Sequence, residues 1–307
     1  MLLRRPILAA AGSDRIRRAI VRTPWTRWVV ARVVAGDDED AALTVARGLI
    51  GAGFRVSLDH LGEFSASAES ADGAADANIS MLRLLAAAGL APAAEMSIKL
   101  SALGLDLDPG ACLARAHRVA AAAHEAGTTI TLDMEDHTRT DATLSALHAL
   151  RTDFPSTGAV LQAGLRRTES DCRDLAVAGS RVRLCKGAYA EPESIAFTRS
   201  ADVAAAYRRC LQLLMAGAGY PMVATHDPAL LAYARVLAAH HGRNAGSFEL
   251  QMLYGVRPDE QRLLAGAGCT VRIYVPYGIE WYGYLMRRLA ERPANLRFFL
   301  RALARPA

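Results

Sequence analysis

From residue 53 onward, short apolar runs alternate with longer amphipathic stretches in a steady order. F-R-V-S-L-D-H at 54–60, E-M-S-I-K-L at 95–100, T-T-I-T-L-D-M at 128–134 and G-A-V-L-Q-A at 158–163 read as strands. So do R-V-R-L-C-K at 181–186, P-M-V-A-T-H at 221–226, F-E-L-Q-M-L at 248–253 and T-V-R-I-Y-V at 270–275. They are short and rich in Val, Ile and Leu, the composition of strands covered on both faces. Helical periodicity follows each run, over 72–90, 108–126, 140–151, 166–178, 201–217, 228–241 and 258–267, and again after Gly278. Eight strand-then-helix units predict an α/β fold, a (β/α)8 barrel with extra N-terminal helices.

The pattern divides the chain into an N-terminal helical segment, 1–48, packed on the barrel, and a catalytic barrel, 49–307. Residues 15–34 mix arginine with Ile, Val and Trp, and G-D-D-E-D at 36–40 supplies a turn and an acidic helix start. Two readings fit the segment: a helical layer closing the barrel bottom, or a basic, Trp-bearing contact with a membrane surface. The acidic run opposes anionic lipid and favours the first. The opening M-L-L-R-R-P-I-L-A-A-A has a short apolar run broken by Pro6, and it is not read as a signal peptide.

Composition narrows the classes further. The 307 residues are 52% hydrophobic and carry a net charge of +5, with the arginines scattered rather than blocked together. That balance suits anionic ligands and argues against nucleic acid as a partner. Five cysteines without a C-x-x-C point to neither a disulfide framework nor a zinc cluster, and so to a reducing, cytoplasmic setting. No run has the length of a membrane span.

In such barrels chemistry sits at the C-terminal ends of the strands. There the sequence places Asp59, His60 and Glu63; Lys99 and Ser101; Asp133, Glu135 and Asp136; Gln162; Arg183, Lys186 and Tyr189; Thr225, His226 and Asp227; Glu249, Gln251 and Tyr254; and Tyr274. Polar groups on nearly every strand predict a ligand-binding or enzymatic rim. Lys99 or Lys186 suits a Schiff-base lysine, or equally a charged partner for a phosphate or carboxylate. Asp133, Glu135 and His226 lack the spacing of a regular metal site. Gly187 and Ala188 form a small, open turn where a planar or phosphate-bearing group can approach the backbone. His60, His240 and His241 read as structural or exposed. On the last helix Tyr284, Arg287, Arg288 and Glu291 fall at i, i+3, i+4 and i+7, one face. That face is a solvated charged stripe or a guanidinium pair shaped for a small carboxylate.

With these residues in place the chain resembles the proline dehydrogenases, flavin-dependent (β/α)8 enzymes of proline catabolism. The resemblance is carried by S-I-K-L-S-A-L-G at 97–104, L-D-M-E-D at 132–136, R-L-C-K-G-A-Y at 183–189 and A-T-H-D-P at 224–228. It continues in F-E-L-Q-M-L-Y-G-V-R at 248–257, R-I-Y-V-P-Y-G at 272–278 and Y-L-M-R-R-L-A-E-R-P-A-N at 284–295. It implies oxidation of L-proline to 1-pyrroline-5-carboxylate, with hydride passing from the ring carbon beside nitrogen to FAD. Arg287 and Arg288 would clamp the proline carboxylate with help from Lys99, and Tyr274 and Tyr284 would wall the ring, with Tyr189 and Leu253 nearby. Asp133 would organise the pocket, and Arg183 would lie beside the reactive flavin nitrogen. Met134, Gln162, Lys186, Gly187, Ala188, Thr225 and His226 would hold FAD, and Glu63 would pair with the arginine helix as a gate. Glu291 would hold the guanidinium in its productive pose. The family's logic adds a quinone or other electron acceptor, a transient peripheral membrane contact at the inner face, and a separate 1-pyrroline-5-carboxylate dehydrogenase. The chain's end shortly after the arginine helix leads us to expect a monofunctional enzyme. The resemblance assigns no role to His60 or to residues 1–48. A lyase or aldolase barrel using Lys99 or Lys186, and a non-catalytic ligand-binding or membrane-docked barrel, are the alternatives.

Overall fold

The computed structural model describes residues 30–62, 64–282 and 284. Its eight parallel strands close in simple sequence order: β1 (Arg55–His60), β2 (Ala94–Ile98), β3 (Ile130–Leu132), β4 (Gly158–Gln162), β5 (Arg181–Cys185), β6 (Tyr220–Ala224), β7 (Glu249–Leu253) and β8 (Val271–Tyr277). β8 pairs back onto β1 from Arg272 opposite Arg55 to Tyr277 opposite His60. Helix α1 (Glu39–Gly51) precedes β1. Helices α2 (Ala68–Ala87), α3 (Pro109–Glu125), α4 (Thr140–Asp153), α5 (Thr168–Leu175), α6 (Ser200–Ala216), α7 (Pro228–His240) and α8 (Pro258–Gly266) follow β1 to β7 in turn. After β8, residues Trp281, Tyr282 and Tyr284 are helical. The barrel expected from the periodicity is therefore present.

Local chemistry sets the helix starts. Asp38 accepts from the Ala41 amide at 2.9 Å and opens α1. Asp108 and Asp227 cap α3 and α7, each followed by a proline whose missing N–H costs nothing in the first turn. α2 begins at Ala68, earlier than the expected residue 72, because Ser67 and Ser70 cap one another reciprocally. α5 is shorter than the expected 166–178, since the Ala176 carbonyl accepts from Ala218 instead of continuing the helix.

Six strands, β1 to β3, β5, β7 and β8, alternate apolar with polar positions, which their apolar composition did not foretell, whereas β4 and β6 place Val160 and Met222 in register with Arg183. Val56, Leu58, Met96, Ile98, Leu132, Leu184, Val223, Leu250 and Ile273 join the buried core under the helices. Between them Ser57, Glu95, Ser97, Thr131, Arg183, Glu249, Gln251 and Arg272 are buried and bond to one another, and buried Asp59 accepts from Lys99. A buried polar face is tolerated only when its groups satisfy each other, and here their mutual bonds replace aliphatic packing.

Of the segment before β1, the described residues from 30 onward lie on the side of the barrel and at its rim. α1 packs along the outside of β1 and β8. Ahead of it Ala35 donates to the Pro276 carbonyl at 2.9 Å, and Gly278 donates to the Gly36 carbonyl at 2.8 Å. Gly255, just past β7, has φ +70°, and a Cβ there would collide with the Arg32 carbonyl oxygen. Residues 32–36 thus reach the rim at the C-terminal ends of β7 and β8. Trp25, Trp28 and the rest of 1–29 lie outside the described residues. Among the described residues no helix is long and apolar enough to cross a membrane.

Candidate active site

Alternation along the strands aims one residue in two at the barrel axis. On β2 and its extension that brings Glu95, Ser97 and Lys99 inward; on β3 Thr131 and Asp133; on β5 Arg181 and Arg183; on β7 Glu249 and Gln251; on β8 Arg272 and Tyr274. The result is two stacked polar layers. The lower holds Arg181 and Arg272 against Glu95 and Glu249. The upper, at the rim, holds Lys99 and Arg183 against Asp59 and Asp133.

Asp133 is the hub of the upper layer. One carboxylate oxygen accepts from Ser97 at 2.7 Å and from Arg183 at 2.8 Å. The other accepts from the Tyr274 hydroxyl at 2.7 Å and lies 3.7 Å from the Lys99 ammonium. Lys99 sits 2.5 Å from Asp59. Burial alone would lower the Lys99 pKa, but Asp59 and Asp133 outweigh it and hold the amine above its usual range. An amine kept protonated is a cation for a carboxylate, not a Schiff-base nucleophile. Burial and the neighbouring Asp133 push the Tyr274 phenol well up, so it remains a donor.

Arg183 uses its whole guanidinium. Its Nε donates to Gln251 at 2.6 Å, one terminal nitrogen to Ser97 and Asp133, and the other to Ser57 and Glu95. Those bonds account for every N–H an arginine owns. The side chain is 4% exposed and passes beside the Tyr274 ring, 5.2 Å from its centroid. It therefore acts on any neighbour as a fixed positive charge, with no donor to spare. Burial raises the Glu95 carboxyl, but Arg181, Arg272 and Arg183 outweigh it and hold it below the usual range.

The residues expected to hold a cofactor form an arc over β3 to β6. Gln162 donates to the Glu135 carbonyl at 2.7 Å, and Glu135, its carboxyl raised by burial, accepts from the Ser101 amide and hydroxyl. Met134 is buried beside them. The turn after β5 places Lys186 2.9 Å from Asp227, and Gly187 is exposed with φ +99°. A bare, exposed backbone beside a cationic side chain fits a flat, phosphate-bearing group. The Thr225 hydroxyl accepts from the Asp227 amide, and the His226 Nε2 accepts from the Leu253 amide at 2.9 Å. That bond fixes the imidazole with its proton on Nδ1 if neutral.

Lys99, Asp133, Arg183 and Tyr274 are thus brought together. Gln162, Lys186, Gly187, Ala188, Thr225 and His226 lie on neighbouring strand ends. Tyr284 is buried in the first turn after β8. Glu63, Arg287, Arg288 and Glu291 lie outside the described residues. His60 packs against Tyr277, ring centroids 5.2 Å apart, and burial lowers its pKa, while His240 and His241 are exposed, so the structural reading of these histidines holds. Sequence reasoning gave no role to Ser57, Glu95, Ser97 or Arg272, and it put Glu249 and Gln251 at the rim, whereas Glu249 lies in the lower layer against Arg272. Their signal was the polar member of each strand's alternation, below the strand ends.

The family model described as Proline dehydrogenase matches residues 42–301. Proline dehydrogenase 1 of Bacillus subtilis (strain 168) is 36% identical over 278 residues, 91% of this chain and 91% of the relative. The proline dehydrogenase of Deinococcus radiodurans is 37% identical over 307 residues, 98% of each chain. Among solved structures, proline utilization A (PutA) from Bdellovibrio bacteriovorus, inactivated by N-propargylglycine, superposes with a TM-score of 0.80 at 24% identity. The match covers 87% of this chain but only 33% of that PutA chain, and it shows the fold alone.

Proposed function

The chain belongs to the proline dehydrogenase family, and from that premise we propose how its rim oxidises proline. The reaction is the first step of proline catabolism, and the cofactor is a flavin. FAD is the form we propose, held by Met134, Gln162, Lys186, Gly187, Ala188, Thr225 and His226. When bound, it supplies the acceptor for hydride from the ring carbon beside the proline nitrogen.

The observation that carries the reading is the cluster at one rim of buried Arg183 with the half-buried Lys99, Asp133 and Tyr274. Lys99 stays cationic and meets the substrate carboxylate, joined by Arg287 and Arg288 from the last helix. Tyr274 and Tyr284 wall the ring, and Asp133 locks Tyr274 and Arg183 in place. Arg183 contributes charge where negative charge gathers during the transfer. Proline must present a neutral amine. Within the upper layer the cations Lys99 and Arg183 match the carboxylates Asp59 and Asp133. The two arginines therefore supply the excess positive charge that disfavours an ammonium, partly offset by the substrate carboxylate.

α1 adds to the wall of the barrel. It fills the outer groove between β8 and β1, where a regular barrel lodges the helix that follows β8. Glu63 pairs with the arginine helix as a gate. Residues 1–48 serve as an added helical layer on the barrel 49–307. A quinone as electron acceptor, transient contact with the inner face of the membrane from the cytoplasm, and hand-off to a separate 1-pyrroline-5-carboxylate dehydrogenase complete the proposal.

An anaerobic titration of the purified protein with proline, followed by visible absorbance, tests it. The expected result is a yellow protein that bleaches as proline is added. A colourless protein that FAD does not reconstitute would overturn the reading.

A further inference from the structure

We propose that Gln251 is a positioning residue for Arg183, an oriented amide that passes the grip of the lower polar layer to the guanidinium at the rim. The inference rests on the reading of Arg183 as the charge beside the flavin. Gln251 accepts from Arg183 Nε through its Oε1 at 2.6 Å and donates through Nε2 to Glu249 at 2.6 Å. Chemistry allows only that orientation. A guanidinium nitrogen can only donate, and an ionised carboxylate can only accept. Burial raises the Glu249 carboxyl, but Arg272 outweighs it and holds the group below its usual range. Arg272 grips Glu249 at 2.6 and 3.1 Å and is itself pinned to the Val56 carbonyl at 2.8 Å. A continuous chain of bonds therefore runs from the β1 backbone through Arg272, Glu249 and Gln251 to Arg183.

The direction of the pull gives Gln251 its importance. Arg183 projects from β5. The Tyr274 ring of β8 lies beside the guanidinium, whose other hydrogen-bond partners, Ser57, Glu95, Ser97 and Asp133, all stand on β1, β2 and the end of β3. Two of the four are carboxylates. Gln251, on β7, is the anchor on the opposite side among the described residues. Without it the guanidinium is drawn towards Asp133 and Glu95, and its field at the rim weakens.

Gln251→Met removes both bonds at nearly constant volume. In the flavin-loaded variant the midpoint potential is expected to fall, because a weaker positive charge stabilises the reduced cofactor less. A tenfold loss in the reduced-to-oxidised ratio corresponds to about 30 mV for a two-electron couple. The turnover number should fall several-fold while the proline KM stays within twofold. A second readout needs no turnover. The Arg183 Nε–H signal, assigned by its loss in Arg183→Lys, should be protected from solvent exchange in the parent protein. It should exchange at least tenfold faster in Gln251→Met. A parent-like potential with a protected signal in Gln251→Met would overturn the proposal. An unshifted potential in Arg183→Met would instead sink the placement of Arg183 beside the flavin. The exchange rates would then decide the Gln251 contact separately, an unchanged rate in Gln251→Met overturning it.

Discussion

At the scale of the residue, the site is a set of charges each held by an opposite charge. Asp59 is the nearest counter-ion of Lys99, and Asp133 stands farther off at 3.7 Å. Replacing Asp59 by Asn leaves a buried ammonium short of a partner, and unfolding in denaturant should show a loss of about 3–5 kcal/mol. Glu95 gives a pH signature. Its folded pKa lies below the unfolded value of about 4.3, because three arginines outweigh its burial. Its contribution is therefore full above that value and is lost as pH falls through the folded pKa, since the unfolded chain takes up the proton first. Thermal midpoints should drop on acidification, and Glu95→Gln should flatten that drop. An equally steep drop in the variant would remove Glu95 from the account. If Tyr274, tied to Asp133, walls the substrate ring as proposed, kcat/KM should strongly favour proline over hydroxyproline, and equal values would refute the crowding. The rim residues were legible because they end strands. The partners beneath them were not, because alternation shows that Arg183 points inward but not that Ser57 meets it 126 residues away.

At the scale of the element, the sequence located every strand, and the misses have local causes. The reciprocal Ser67–Ser70 cap moved one helix start, and a carbonyl diverted to Ala218 shortened another. The larger surprise is α1. Its acidic start was readable from G-D-D-E-D, but its lodging against β1 and β8 was not, because nothing local in 39–51 encodes which two strands leave a groove open. If the arginine face of the helix after β8 crosses the rim, replacing Arg287 or Arg288 with Met should raise the proline KM by the equivalent of about 2–5 kcal/mol. Steady-state kinetics on both variants checks this, and an unchanged KM in each would remove the clamp.

At the scale of the whole molecule, the barrel is a ring fastened where β1 meets β8. The fastening joins residues far apart in the chain: the Arg272 bond to the Val56 carbonyl spans 216 positions. Contacts of such separation pay the largest closure entropy and form late. Native-state hydrogen exchange should therefore find the amides of Leu61, bonded across this seam, and of Ala35 and Gly278, which join the end of β8 to the segment ahead of α1, opening at lower free energy than those between β4 and β5. Equal protection throughout would show a ring without a weak link. The same separation matters while the chain is being made. At 5–20 residues per second the ribosome needs roughly 10–40 s to deliver β8 after β1 has emerged. For that interval one edge of β1 has no strand to pair with, and its apolar face needs cover. α1 is synthesised just before β1 and packs on that face in the finished protein. The helix that wedges the closed ring is thus also positioned to shield the nascent strand while it waits for its last neighbour.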